Sequence, residues 1–295
     1  MLSVLDITKR AVNQFLGLLG YELHKKSKPW YEPIGLEGLI PPRRLWVGSA
    51  DPLDWFFGYP WKYRAYLTLL CETSKNARVL ELGCNHGRTM LTLLDYLEPP
   101  GRYDGLDILP AQIKFAQENI QSAFPHFHFH LADVYNRAYY PQGKQRADTY
   151  RFPFEENSFD VVYAASLFTH LVPCDAANYL KESRRVLGSG GRCLFSFFLL
   201  DYFREPVAVR KIVGVERERT SMHVVYNFQY PLNGDNRVAI QDPELPERVT
   251  AYKMSLIEEI AAEAGLTIKQ IIPGFWSKSH AVGVNEQDLV LFECT

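Results

Sequence analysis

Cysteine is scarce and scattered: Cys71, Cys84, Cys174, Cys193 and Cys294 stand without any CxxC pairing in 295 residues. That scatter offers neither the paired thiolates of a zinc site nor a disulfide framework, and it fits a reducing, cytoplasmic setting. Excess charge is equally absent, with 32 Lys plus Arg against 34 Asp plus Glu. A balanced surface has no whole-molecule field to draw the chain onto a polyanion, so nucleic acid is not an expected partner. No apolar run approaches the ~18 residues of a membrane span. The longest, 193–200, is the length of a strand. Internal repeats and low-complexity tracts are also missing. What remains is a chain long enough for one α/β domain with additions.

Aromatic residues are abundant at 14%, and Trp30, Tyr31, Trp46, Trp55, Phe56, Phe57, Tyr59 and Trp61 crowd one stretch. Packing of an irregular lead-in against the core accounts for them, with an aromatic substrate wall as the competing reading. Ahead of it, Leu5, Val12, Phe15, Leu16, Leu19 and Leu23 fall at helical spacing, with Lys9, Arg10, Lys25, Lys26 and Lys28 around them. This helix is expected to pack on the domain or a partner chain, or else to lie on a membrane surface. No small-residue cleavage site follows, so a signal peptide is not expected. Residues 1–62 are read as an N-terminal extension and 63–295 as the main domain; a homodimer stays open.

The chain is organised around residues 78–89, RVLELGCNHGRT. A β-branched and leucine run, an acid and two glycines four apart predict a buried strand, a tight turn and a helix start. Gly83 and Gly87 let a ligand lie against bare backbone. After a strand over 77–82, the pattern predicts a helix over 88–96, a strand over 102–107 and a helix from Pro110 towards Phe124. A strand to about Asp133, a strand over 159–165, a helix over 175–187 and a strand over 192–199 follow. A helix over 255–264 and strands over 266–272 and 288–294 complete it. Strict alternation of strand and helix predicts a doubly wound, mostly parallel sheet. Two segments read as additions: a polar loop over 135–150, and an insert over 201–250 in which Tyr226, Phe228 and Tyr230 alternate like a strand.

ELGCNHG resembles the first motif, (D/E)xGxGxG, of the class I S-adenosylmethionine-dependent methyltransferases, with Asn85 where that family most often has glycine. Asparagine tolerates left-handed backbone better than other side-chain-bearing residues. The segments RFPFEENSFDVVYAASLFTHL and YLKESRRVLGSGGRCLFSFF resemble the same family, so the likeness covers about 77–198. It implies a Rossmann-like seven-stranded sheet closed by a C-terminal antiparallel hairpin, and S-adenosylmethionine as cofactor. Glu81 at the strand end suits a cationic methionine group better than a pyrophosphate, and no GxGxxG is present.

Ligands of open parallel sheets sit beyond the carboxyl ends of the strands. By the resemblance, Glu81, Gly83, Cys84, Asn85 and Gly87 would hold the methionine end and Asp107 the ribose hydroxyls. Ile108 would lie on the adenine, Asp133 and Val134 would reach its amino group, and the backbone of Ala165 and Ser166 would meet the methionine moiety. His170, one turn past the fourth strand, is the candidate catalytic base, with His223, Glu218 and Tyr226 as rivals. His86 is expected to point outward. His126, His128 and His130 alternate on one strand face, which raises a metal site; the edge position of that strand makes a solvated face the better reading, so no metal is expected.

These readings converge on methylation of a small-molecule acceptor, at oxygen first and nitrogen second, with the insert as a lid over the acceptor. An NAD-dependent oxidoreductase and a catalytically silent cofactor-binding interaction protein are the alternatives.

Overall fold

A computed structural model describes residues 59–204, 207–213, 220–279, 283 and 285–294, with isolated positions 39, 41, 42 and 45 before them. The N-terminal helix expected from the leucine spacing lies outside the described residues, and so does Glu218.

Helix α1 (Tyr59–Leu69) leads into β1 (Arg78–Leu82), β2 (Arg102–Asp107), α2 (Pro110–Ala116), β3 (Phe127–Leu131), β4 (Phe159–Ala164), α3 (Pro173–Val186) and β5 (Leu187–Phe197). After the insert come α4 (Met254–Glu263), β11 (Leu266–Ile272) and β12 (Asp288–Cys294). The seven strands lie in the order β11-β12-β5-β4-β1-β2-β3. β12 runs antiparallel to both β5 and β11, while β1, β2, β3, β4 and β5 pair in parallel. From β1 the chain winds outward to β3, then returns to build β4 on the other side of β1. The crevice above β1 and β4 is therefore the switch point where this architecture leaves room for a ligand.

Burial on both faces explains why the strands read as apolar runs rather than alternations. Leu80, Leu82, Val162, Ala164, Phe195, Phe197, Val290 and Phe292 are buried in one cluster with Tyr179 and Leu180 of α3 and Ile257 and Ile260 of α4. In α3, Ala176, Tyr179, Leu180, Ser183 and Val186 are buried at helical spacing. Each large apolar side chain so enclosed contributes roughly 1.5 to 3 kcal/mol. Among the described residues, no helix is long and apolar enough to cross a membrane.

Three local expectations need correction. The helix expected over 88–96 is a single tight 3-10 stretch, Thr89–Leu93. Its threonine hydroxyls serve tertiary partners, Thr89 donating to Glu81 and Thr92 to the Pro60 carbonyl at 3.1 Å. The strand expected over 192–199 starts earlier: β5 begins at Leu187, where the expected helix was to end, and takes in Gly188, Gly190 and Gly191, with a register irregularity against β4. Nor do Tyr226, Phe228 and Tyr230 form one strand, since β7 (Thr220–Tyr226) ends before β8 (Tyr230–Leu232) begins. Tyr226 and Phe228 instead both enter one aromatic cluster with Phe198 and Trp276.

The insert builds two small sheets. One is a hairpin of β6 (Val207–Val213) with β7; the other joins β8, β9 (Asp235–Ile240) and β10 (Thr250–Tyr252). Its return leg closes on the main sheet: the Tyr252 N–H donates to the Phe198 carbonyl at 2.9 Å, and the Tyr252 hydroxyl donates to the Leu171 carbonyl.

Candidate active site

Past Leu82 the chain turns through Gly83, Cys84, Asn85, His86 and Gly87, with φ of +75°, +52° and +85° at Gly83, Asn85 and Gly87. Left-handed backbone costs an ordinary residue roughly 1 to 2 kcal/mol and glycine almost nothing. Asn85 offsets part of that cost locally, its side-chain carbonyl accepting the His86 N–H at 2.8 Å. At Gly87 a Cβ would meet Met90 Cε and Phe129 Cε1 at 3.1 Å and Ile120 Cδ1 at 3.2 Å, so packing as well as φ calls for glycine. Cys84 is buried beneath the turn against Gly105, where a Cβ would stand 2.7 Å from its sulfur.

Asp107 locks this turn to the end of β2. One of its oxygens accepts the Asn85 N–H at 2.7 Å and the other the Leu109 N–H at 2.9 Å. Burial raises its carboxyl above the ordinary value, and the backbone amides of Asn85, Leu109 and Ile108 oppose that rise. Ile108 is half-buried against the core beside it. At the end of β3, Val134 is buried and Asp133 half-buried, with Lys144 Nζ 3.8 Å from the Asp133 carboxylate.

Glu81 departs from expectation. Only 1% exposed, its carboxylate is enclosed by the hydroxyls of Thr89, Tyr103 at 2.5 Å and Tyr163 at 2.7 Å, so it is no open acceptor for a ligand cation. Burial pushes this carboxyl up to about 7, the three hydroxyls opposing and the Asp107 charge adding to it. The enclosure makes Glu81 an anchor that pulls Thr89, and with it the exit of the glycine turn, onto the sheet. Tyr163 stands opposite Glu81 in the β1–β4 register, and Tyr103 lies two residues before Gly105, the β2 partner of Glu81. Period-2 alternation could have identified both.

His86 is likewise corrected. It is buried rather than pointing outward, and burial together with the Arg88 charge pushes its imidazole down to about 3. The left-handed residue before it reverses the direction of the chain, which a simple outward loop does not include.

Beyond β4, Ala165 and Ser166 are half-buried. Ser166 adopts φ +62°, donates its N–H to Ser196 Oγ at 2.7 Å and accepts the Gln287 amide at 2.7 Å. His170 closes a 3-10 turn, Phe168–His170, on the same loop. Its Nδ1 lies 2.8 Å from the Arg248 carbonyl and 3.2 Å from the Glu247 carbonyl. Carbonyls only accept, so Nδ1 carries the proton and the basic lone pair is on Nε2. Burial lowers this imidazole from its ordinary value, with the two carbonyls opposing. The Tyr139 hydroxyl stands 3.3 Å from Nδ1, so the 135–150 loop and the insert meet at His170. Of the three alternating histidines only His128 and His130 lie on the edge strand β3, His126 standing in the turn before it, and His130 Nε2 pairs with Asp104 at 2.8 Å.

A profile described as "Methyltransferase domain" matches residues 80–195, from β1 through β5. Over that span the chain is similar to methyltransferases. A probable phthiotriol/phenolphthiotriol dimycocerosates methyltransferase 2 of Mycobacterium ulcerans is 29% identical to it over 185 residues, 59% of this chain and 64% of that protein. A phthiotriol/phenolphthiotriol dimycocerosates methyltransferase of Mycobacterium leprae is 30% identical over 141 residues, 45% and 44% of the two chains. The chain thus spans less than two thirds of the length of the curated relatives it matches. Among solved structures, the CcbJ methyltransferase from Streptomyces caelestis shares the methyltransferase fold at TM-score 0.53 and 14% identity, covering 85% of this chain and 93% of that one.

Proposed function

We propose that this protein transfers a methyl group from S-adenosylmethionine to a small-molecule acceptor, at oxygen in first place and nitrogen in second. The observation that carries the reading is the turn after β1: three left-handed positions, tied through the Asn85 N–H to a carboxylate at the end of β2, at the switch point of the sheet. The phthiotriol and phenolphthiotriol dimycocerosates named for the Mycobacterium relatives support a small molecule as acceptor.

The residues fit the cofactor. Gly83, Cys84, Asn85 and Gly87 present backbone to its methionine end, and Ala165 and Ser166 meet that end from β4. Each Asp107 oxygen accepts one backbone N–H and retains a lone pair, which suits ribose hydroxyls. Ile108 would lie against the adenine, with Asp133 and Val134 reaching its amino group. Glu81 acts indirectly, by fixing Thr89. Bound there, the cofactor supplies an electrophilic methyl group on a sulfonium.

The remaining demand is positioning, because in-line displacement requires the acceptor atom held behind the methyl group with water kept out. His170, its Nδ1 committed to the Arg248 carbonyl, orients the acceptor through Nε2. Residues 246–252, the return leg of the insert, support that ring and form the acceptor wall. Calorimetry against S-adenosylhomocysteine and NAD tests the cofactor, and labelled methyl transfer tests the activity. Binding of NAD in place of S-adenosylhomocysteine would sink the reading; cofactor binding without transfer to any hydroxyl or amine acceptor would leave a silent binding protein.

A further inference from the structure

The polar loop after β3 leaves the sheet and comes back to the same place. Its two legs are laced at the base, where the Asp133 carbonyl accepts the N–H groups of Lys144 at 3.1 Å and Gln145 at 2.9 Å, and the Gln145 carbonyl accepts that of Tyr135 at 2.8 Å. Between them the loop lies flat on Val134: a Cβ at Gly143 would stand 2.3 Å from the Val134 carbonyl carbon and oxygen. The tip is equally fixed. Asn136 and Tyr140 exchange backbone hydrogen bonds at 3.1 and 2.9 Å, and the Asn136 side-chain carbonyl accepts the N–H groups of Ala138 and Tyr139, each at 3.0 Å. A loop so bonded moves as one piece, and a displacement at residues 133–134 reaches residue 139.

At that tip the half-buried Tyr139 meets His170 edge-on, the ring centroids 5.1 Å apart and the planes at 72°. Three oxygens surround His170 Nδ1: the Arg248 carbonyl at 2.8 Å, the Glu247 carbonyl at 3.2 Å and the Tyr139 hydroxyl at 3.3 Å. A single N–H cannot be well aligned with all three, and the Arg248 carbonyl, the nearest, takes it. The Tyr139 hydroxyl is therefore not needed to satisfy the imidazole. What Tyr139 adds is the edge of a ring, which limits how far the imidazole can swing or turn. The insert carbonyls decide which nitrogen carries the proton, and Tyr139 sets the plane of the ring. The loop thus has one end at Asp133 and Val134, read above as reaching the adenine, and the other on the imidazole read as orienting the acceptor.

We propose that Tyr139 is a positioning residue that sets the plane of the His170 imidazole in response to occupancy of the adenine end of the cofactor site, a role that rests on the methyltransferase reading above. Adenine at Asp133 and Val134 shifts the base of the loop, the loop moves its tip, and the His170 ring follows. Coupling of this kind needs a physical element that both sites bias, and the 135–145 loop is in contact with each. Nε2 takes its working direction only with the cofactor in place, so the cofactor binds first and the acceptor second.

Adenosine tests the proposal without the acceptor, because it fills the adenine and ribose positions and lacks the methionine part that the reading puts beside Ala165 and Ser166. Nitrogen–proton NMR of the imidazole rings in the full chain, with the His170 signals assigned by their loss in His170→Gln, should show those signals shifting as adenosine is added. Tyr139→Ala should remove the shift while calorimetry still shows adenosine bound, and Tyr139→Phe, which keeps the ring edge, should retain it. A residue that only stabilised the loop would give no ligand-dependent signal at His170. Wild-type His170 signals that ignore adenosine, or a Tyr139→Ala protein that still responds, overturn the proposal; so does loss of adenosine binding in Tyr139→Ala, which would place Tyr139 in the adenine site itself. In each case the methyltransferase reading stands as long as the wild type binds S-adenosylhomocysteine, and a wild type that binds neither ligand overturns that reading instead. Should Tyr139→Ala not fold, Tyr139→Leu, which fills space without a ring edge, carries the same expected loss.

Discussion

Glu81→Gln isolates the most unusual group in the fold, a buried carboxyl held by three hydroxyls whose burial raises it from an ordinary value near 4.5 to about 7. The sign follows from linkage. A carboxyl raised in the folded state is penalised when it ionises, so its stability contribution is complete below about pH 4.5, where both states are protonated, and is lost as pH rises through about 7. Between about pH 5 and pH 8 the folded state should lose roughly 2 to 3 kcal/mol from this group alone, at 1.36 kcal/mol for each decade of proton affinity. Glutamine keeps the shape and one acceptor, and the hydroxyls of Thr89, Tyr103 and Tyr163 can rotate to serve its amide. It cannot ionise. Urea unfolding at four pH values across that range should show wild-type stability falling towards high pH relative to the variant, with equal denaturant slopes. Parallel stability curves would refute the reasoning, and would mean that the hydroxyls outweigh burial and keep Glu81 ionised throughout.

Asp107→Ala removes the acceptor of two backbone amides and the proposed ribose partner; S-adenosylhomocysteine affinity should fall by roughly 1 to 3 kcal/mol in calorimetry, and an unchanged affinity would remove Asp107 from the site. Gly87→Ala should cost roughly 1 to 3 kcal/mol in thermal unfolding, because its φ of +85° and the three neighbours near 3.1 Å leave no place for a methyl group. His170→Gln should lower turnover by about tenfold or more while cofactor affinity survives; joint loss of stability and both functions would identify a ring that only props the insert. Trp276→Phe leaves the buried Asp288 without its indole donor at 2.7 Å and should destabilise by roughly 1 to 3 kcal/mol, which equilibrium unfolding reads directly.

The sheet was legible because its strands are buried on both faces and separated by punctuation that local physics demands. The glycine turn was legible because a strand end followed by glycines constrains backbone rather than partner choice, and Asp107 because an acid stands where the next strand stops. Where the reading failed, distant groups decide the outcome. Nothing local to Thr89 and Thr92 announces that their hydroxyls leave the helix path for Glu81 and the Pro60 carbonyl. His86 looks like a loop residue until the reversal at Asn85 is built. Phe228 alternates with Tyr226 on paper, yet both turn into the cluster around Trp276, a residue 48 positions further on than Phe228 (276 − 228).

The same division runs through the site. One half is written by the parallel strands, and the resemblance named its residues: Gly83, Asn85, Gly87, Asp107 and Ser166. The other half is assembled by chain segments that meet only in the fold. Gln287 reaches Ser166, Glu286 reaches Tyr226, and the Arg248 carbonyl reaches His170. A cofactor common to many enzymes needs the first half alone, and so a single motif can signal it. On the proposed reading, an acceptor particular to one enzyme would be met by the second half, whose residues lie in an insert and in the β11–β12 connection, both outside the 80–195 region that the domain profile matches. Acceptor choice should therefore change when Tyr226 or His170 changes while affinity for S-adenosylhomocysteine holds, and the reverse pattern would place the acceptor elsewhere.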